Sequence, residues 1–173
     1  MALEHSDIQN KLVDNFELIV SNFALQHDIF TFEVDSKSVL EVMKFLKEDT
    51  QLRFNFLTDV CGIHYPDAEE DRQFAVVYHM HNWLDNVRIR FKCFLNPNDL
   101  EIDSVTPLFL GANWQERETY DFYGIIFKGH PQLKRILNMD EMVSFPMRKE
   151  FPLEDGGRTD KDDRFFGRTT DNC

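Results

Sequence analysis

At 173 residues, the chain is long enough for one ordinary domain that buries about two-thirds of its unfolded surface, and too short for two comfortable ones. Its 17 phenylalanines against 7 glycines and 6 prolines argue for an aromatic-rich packed core and against a disordered or fibrous chain. The formal net charge of −12 excludes nonspecific binding along a nucleic-acid backbone, which needs clustered cations.

Ser6-Asp7-Ile8-Gln9 has the spacing of a capping box, and Ile8, Leu12, Phe16, Ile19, Val20 and Phe23 follow at helical intervals. An amphipathic helix is predicted over 7–25. Phe30, Phe32 and Val34 alternate with Thr31 and Glu33 as in a short strand, after which Val39, Val42, Met43 and Leu46 return to the helical period. Three strands are predicted next, over 54–63, 74–81 and 87–95, separated by turn-rich stretches at 66–71 and 82–86. In the last of them Val87, Ile89, Phe91, Cys93 and Leu95 share one face, and Arg88, Arg90 and Lys92 share the other. That alternation is what an antiparallel sheet with one wet face requires, and helices are expected to cover the apolar face.

Asn96-Pro97-Asn98-Asp99 reads as a turn, and a helix is predicted over 107–123, with Pro107 in its first turn and Gly124 as its stop. Beyond Pro146 the prolines, glycines and charges break every period, while Phe151, Leu153, Phe165 and Phe166 remain as spaced apolar anchors. The expected organisation is one domain of helices and a β-rich middle over 1–145 and an extended tail over 146–173. No apolar run approaches the roughly 20 residues of a membrane helix, and the acidic start lacks the charge pattern of a signal peptide. Membrane contact is therefore expected only through partners.

Residues 1–110 hold 19 acidic and 9 basic side chains, whereas residues 111–150 hold six of each. Within that balanced block Glu116, Glu118 and His130 are conceivable acid/base groups, but helical residues two apart point about 200° from each other, so the two carboxylates cannot flank one bond. A structural reading is better: Arg117 with Asp121, and Glu116 with Tyr120, stand four apart and can pair along the helix beside Trp114, Phe122 and Tyr123. Paired charges among aromatics suit an interface. His79 and His81 share one strand face, a possible metal half-site for which only His64 and Asp59 offer further ligands. Cys61, Cys93 and Cys173 are too widely spaced for a disulfide framework or a local cluster site, and Cys61 and Cys93 read as strand-core residues. The sequence has no GxGxxG after a strand, no Walker-type lysine and no GxSxG elbow, so nucleotide, flavin and serine-hydrolase chemistry lack their usual residues.

The run from Asn113 to Leu137, with Glu116-Arg117-Glu118-Thr119-Tyr120-Asp121, Gly124-Ile125, Gly129-His130-Pro131 and Arg135-Ile136-Leu137, resembles the signature of the thirty-kilodalton (C) subunit family of respiratory complex I. The likeness extends more weakly from about residue 52, through Leu57-Thr58-Asp59 and Tyr65-Pro66, to Phe151-Pro152-Leu153. It implies an α+β, two-layer fold with a mostly antiparallel sheet, a partner-binding role for the tail over 146–173, and a non-catalytic structural subunit of the peripheral arm of proton-pumping NADH:quinone oxidoreductase. It implies no cofactor in this chain, with NADH, FMN, iron–sulfur clusters and quinone in the whole complex. The implied partners are the D subunit of complex I, with the B and I subunits nearby, on the cytoplasmic side of a bacterial inner membrane or the matrix side in mitochondria. Trp114, Glu116, Arg117, Glu118, Tyr120, Asp121, Gly124, His130, Pro131, Arg135 and Phe151 are the expected interface. The alternatives are a related subunit of a membrane-bound hydrogenase or other-donor oxidoreductase, and, from a different class, a stand-alone acid/base enzyme.

Overall fold

Ile8, Leu12 and Phe16 recur every four residues and are buried along one side of the first helix, α1 (His5–Phe16). The computed structural model describes residues 3–151. The predicted helix over 7–25 holds only in its first part, because Val20–Gln26 form a strand, β1. The capping box also lies earlier than expected: Glu4 and Asp7 make it, not Ser6 and Gln9. The physical reason for the strand is its neighbour β2 (Ile29–Val34), with which β1 pairs in antiparallel register. An irregularity in the pairing at Asn22, which has φ 52°, accompanies the stacking of Phe23 on Phe30 and Phe32, with ring centroids 6.0 and 5.6 Å apart. The apolar spacing here fits a helix, but tertiary pairing decides the conformation.

The second helix, α2 (Val39–Glu48), buries Val39, Val42, Met43 and Leu46 as their period requires. Strands β3 (Phe56–His64), β4 (Phe74–Asn82) and β5 (Val87–Leu95) follow close to their predicted bounds. Together the five strands form one sheet in the order β1-β2-β5-β4-β3, antiparallel throughout except for the parallel pair β2–β5. Its inner face carries Phe32, Phe91, Tyr78, Val76 and Val60, and these join the buried side chains of α1 and α2 in a single core. Phe32 stacks on Phe91 at 5.5 Å and Phe91 on Tyr78 at 5.0 Å, so aromatic contact runs across three adjacent strands. Among the described residues the fold is α+β with a mostly antiparallel five-stranded sheet and three helices.

Two short strands escape the sequence reading. β6 (Glu101–Asp103) and β7 (Ile126–Lys128) pair in parallel, on either side of the third helix in the chain. That helix, α3, spans Ala112–Tyr123 rather than 107–123. Ahead of it, residues 105–112 form tight turns that put Phe109 into the core, with the Lys47 ammonium 4.7 Å from its ring centroid and donating to the Leu108 carbonyl at 2.6 Å. Gly124 ends α3 as predicted, in the left-handed conformation at φ 75°.

Candidate functional site

Glycine at position 62 lets α3 lie against the edge strand β3. A Cβ there would sit 2.5 Å from Tyr123 Cδ2 and 3.0 Å from Thr119 Cγ2, distances no side chain tolerates unless something moves. Along this contact the Gln115 side chain donates to the Thr58 carbonyl at 3.3 Å and the Thr119 hydroxyl to the Val60 carbonyl at 3.5 Å. The helix therefore occupies the position where a further strand would otherwise pair.

Glu116 faces inward and is completely buried. One of its oxygens accepts from the Ser104 hydroxyl at 2.6 Å and the other from the Val105 N–H at 2.7 Å. Burial pushes its carboxyl up to about 7, against the pull of those two donors. Asp121, also completely buried, gathers the segment that follows β7. It pairs with the Arg135 guanidinium at 2.7 Å and accepts from the backbone N–H groups of Ile136, Leu137 and Asn138 at 3.0, 2.8 and 2.9 Å. Burial alone would raise its carboxyl, but the Asn138 N–H, Arg135 and the other donors overcome that and hold it well below the ordinary range. Arg135 extends the same network, donating to the carbonyls of Asp121 at 2.9 Å and Ser144 at 2.9 Å, and to that of Met142.

These contacts correct the expected pairs along the helix. Arg117 does not bond Asp121; it donates to the carbonyls of Lys134 at 3.1 Å and Arg135 at 3.0 Å. Glu116 likewise bonds Ser104 and Val105 rather than Tyr120, whose ring instead meets that of Phe145 edge-on at 6.1 Å. The charges reach across to loops because α3 buries the face that carries Glu116 and Asp121, where a carboxylate needs several donors at once. His130 spans the start of the loop, with Nε2 3.0 Å from the Asn113 carbonyl and Nδ1 accepting the Gln132 N–H at 3.0 Å. The acid/base set is thus not assembled: Glu116 is sealed, Glu118 is exposed, and both His130 nitrogens are engaged in the fold.

Of the remaining expected interface residues, Trp114 is 61% exposed and Phe151 is 40% exposed, and Pro131 also faces solvent. Gly124 is buried where a side chain would collide with Phe145 and Arg148, 2.6 and 2.7 Å from an added Cβ. Residues 146–151 are tied back to the domain. Met147 N–H donates to the Phe122 carbonyl at 3.2 Å, Arg148 to that of Tyr123 at 2.8 Å, and Lys149 N–H to His64 Nδ1 at 3.0 Å. The rest of the expected tail, from 152, lies outside the described residues. Sequence reasoning misses Ser104, Asn138, Ser144 and Arg148, which complete the network; no periodicity or motif marks them.

The histidine pair offers no ligand set. His81 Nε2 lies 3.1 Å from Asn86 Oδ1, His79 Nδ1 is buried without a partner, and no group of three possible ligands converges among the described residues. Cys93 is buried in the core, and burial raises its thiol far above the usual value. Burial and the neighbouring Asp59 push Cys61 up to about 11, so neither is an activated nucleophile. No described helix is long and apolar enough to cross a membrane.

The model of the family "Respiratory-chain NADH dehydrogenase, 30 Kd subunit" matches residues 32–156, a span that contains β3, β4, β5 and the whole α3 network. The chain is 47% identical over 124 residues to the NADH-quinone oxidoreductase C subunit of Citrifermentans bemidjiense, covering 72% of this chain and 74% of that one. It is 36% identical over 169 residues to the C subunit of a Roseiflexus species, covering 96% and 95% of the two. Among solved structures it resembles a trypsin-resistant fragment of Nqo5, with a TM-score of 0.62, 27% identity, and coverage of 75% of this chain and all of the fragment. It shares its fold, at 18% identity and a TM-score of 0.72, with a chain of an archaeal membrane-bound sulfane sulfur reductase, over 86% of this chain and 85% of that one. The chain belongs to the 30 kDa subunit family of respiratory-chain NADH dehydrogenase, the C-subunit family of NADH-quinone oxidoreductase.

Proposed function

We propose that this chain is a structural subunit of the peripheral arm of a proton-translocating NADH:quinone oxidoreductase, with no reaction step of its own. It supports assembly with the quinone-reducing module, with the D subunit as its main neighbour and the B and I subunits nearby. It sits on the cytoplasmic side of a bacterial inner membrane, or the matrix side in a mitochondrion. NADH, FMN, iron–sulfur clusters and quinone belong to other subunits of the complex.

Beside family membership, the observation that carries this reading is how the charged signature is used. Glu116, Arg117, Asp121 and Arg135 are spent inside the fold, where they fix loops. Among the side chains that α3 and its flanking loops present to solvent are five large apolar ones, Leu110, Trp114, Leu137, Met139 and Val143, interspersed with charged ones such as Glu118 and Lys134. Exposed large apolar side chains on a surface fixed in this way suit a partner rather than a turnover site. In this reading Trp114, Glu118, Pro131 and Phe151 meet the partner, while the buried polar residues hold the surface in shape.

The test is to express the tagged chain in its native host, solubilise membranes gently and identify what co-purifies. Recovery of the D, B and I subunits with NADH:quinone reductase activity supports the reading, and Trp114→Ala should reduce that recovery while the isolated chain still folds. A chain recovered alone and active by itself would overturn it. The fold does not choose the electron donor, since a sulfane sulfur reductase chain shares it; recovery of hydrogenase or other-donor subunits would select that sister class.

A further inference from the structure

His64 stands at the end of β3 with its ring stacked flat on Phe74, centroids 4.3 Å apart and planes 6° from parallel. The Lys149 backbone N–H, 85 residues away in sequence, donates to its Nδ1 at 3.0 Å. That bond admits one protonation state: Nδ1 must be bare, so the ring is neutral with its proton on Nε2. The same short segment is held at two further points. Arg148 donates to the Tyr123 carbonyl at 2.8 Å while its guanidinium lies over the rings of Phe74 and Phe145, 5.1 and 4.8 Å from their centroids. Met147 N–H donates to the Phe122 carbonyl. Residues 145–151 thus form a strap across the end of β3 and the C-terminus of α3, fastened by two carbonyls and one imidazole. Of these acceptors only the imidazole can be turned into a donor by a single proton.

We propose that His64 is a proton-operated catch for this strap: neutral, it holds Lys149; protonated, it releases residues 149–151 from the end of β3, while Met147 and Arg148 stay fastened to the C-terminus of α3. Protonation places an N–H against the Lys149 N–H, so an attractive contact becomes a repulsive one. The charges around the ring agree with a neutral resting state. Burial lowers the imidazole below its ordinary 6.5, and from the strap Arg148 and Lys149 lower it further while Glu150 opposes them. From the neighbouring cavity, Lys92, Asp67 and the Glu33–Arg72 pair face the same region beside Tyr65. The pair is internally neutralised at 2.8 Å, and the remaining two charges there, Asp67 and Lys92, are of opposite sign. The sign follows: a depressed imidazole pKa in the folded chain makes the fastened strap stable above 6.5, and that stability is lost as the pH falls through the lower folded value. This inference is independent of which partner the chain assembles with.

The experiment is a pH titration of the full chain by NMR, following the His64 ring, the Lys149 amide and the amides of β4. The expected result is that Lys149 exchange protection, corrected for intrinsic rate, falls about tenfold on the same curve as the ring, with a midpoint below 6.5, while β4 keeps its protection. His64→Asn supplies an oxygen near the Nδ1 position that cannot be protonated in this range, so the strap should stay fastened at every pH. His64→Ala should leave it loose at every pH. Equal Lys149 protection above and below the ring's midpoint, or a pH transition that persists in His64→Asn, would overturn the proposal.

Discussion

Residues 20–95 and residues 104–148 hold their shape by different physics. In the first region side chains such as Phe32, Met43 and Phe91 are sealed from water together with Leu12 of α1, in one apolar core. In the second the sealed groups include Glu116 and Asp121, and the long loop from 129 to 148 has no regular structure beyond turns. Burial of apolar area stabilises without direction, so many sequences would satisfy the first region. Buried carboxylates stabilise only when every acceptor finds its donor, so the second region specifies one arrangement or none. The difference explains why Glu116, Arg117 and Asp121 bond the surrounding loops rather than their helix neighbours: they do for a loop what a hydrophobic core does for a sheet.

The sharpest way to break this comparison is Asp121→Ala. Removing one partner of a buried ion pair costs about 3–5 kcal/mol, and here three backbone donors are orphaned as well. The loss should appear first as faster exchange at Ile136, Leu137 and Asn138, with the strands protected longer. Phe32→Ala should cost a similar amount, about 3–5 kcal/mol, but lower the protection of every strand together. If both variants melted the two regions in one step, the division would be wrong.

Gly62→Ala probes the seam between the regions. The added methyl meets Tyr123 and Thr119, and overpacking of this kind costs about 1–3 kcal/mol. Urea midpoints should fall, and the Tyr123 fluorescence environment should change before that of Trp83, which lies on the hairpin at the far end of β4. A variant as stable as the parent would mean that α3 is not packed against β3 as described.

Smaller still is Glu116→Gln, which keeps the shape and an acceptor for Val105 and should cost less than about 1 kcal/mol, whereas Glu116→Ala strands two donors at about 1–3 kcal/mol. Its pH signature is more telling than its size. A carboxyl raised from 4.5 to about 7 in the folded chain adds stability that is full below 4.5 and lost as the pH rises through 7. The parent should therefore gain on the glutamine variant as the pH drops from about 8 to about 5, as read from urea midpoints at the two values. A constant difference would mean that Glu116 is ionised throughout. Least of all, Trp114→Ala should change stability by no more than about 0.5 kcal/mol, since its ring faces solvent, and its effect should be confined to assembly.

The alternation in β5 is legible because a strand with one buried face leaves a period of two, and α2 because its four buried residues leave a period near 3.6. β1 reads as a helix because Ile19, Val20 and Phe23 fit a helical period over so short a stretch that only their pairing with β2 distinguishes the two. β6 and β7, three residues each, carry too few positions to show any period. In the candidate site the important residue types stand out in the run from Asn113 to Leu137, but their partners do not. Arg117 with Asp121 looks like a helix pair because neighbours four apart always can be one. The choice between that pair and Arg135 depends on which face of α3 is buried.

From residue order alone come the α+β class, the apolar face of the sheet, the stop at Gly124 and the family signature, because each depends on side-chain type or on spacing within one segment. The tertiary structure alone decided that Val20–Gln26 is a strand, that Glu116 answers Ser104 and Val105, and that Asp121 holds Arg135 and the loop after it. Those outcomes depend on which surfaces meet and exclude water, and a buried polar group takes its partner from whatever the fold brings within hydrogen-bonding distance.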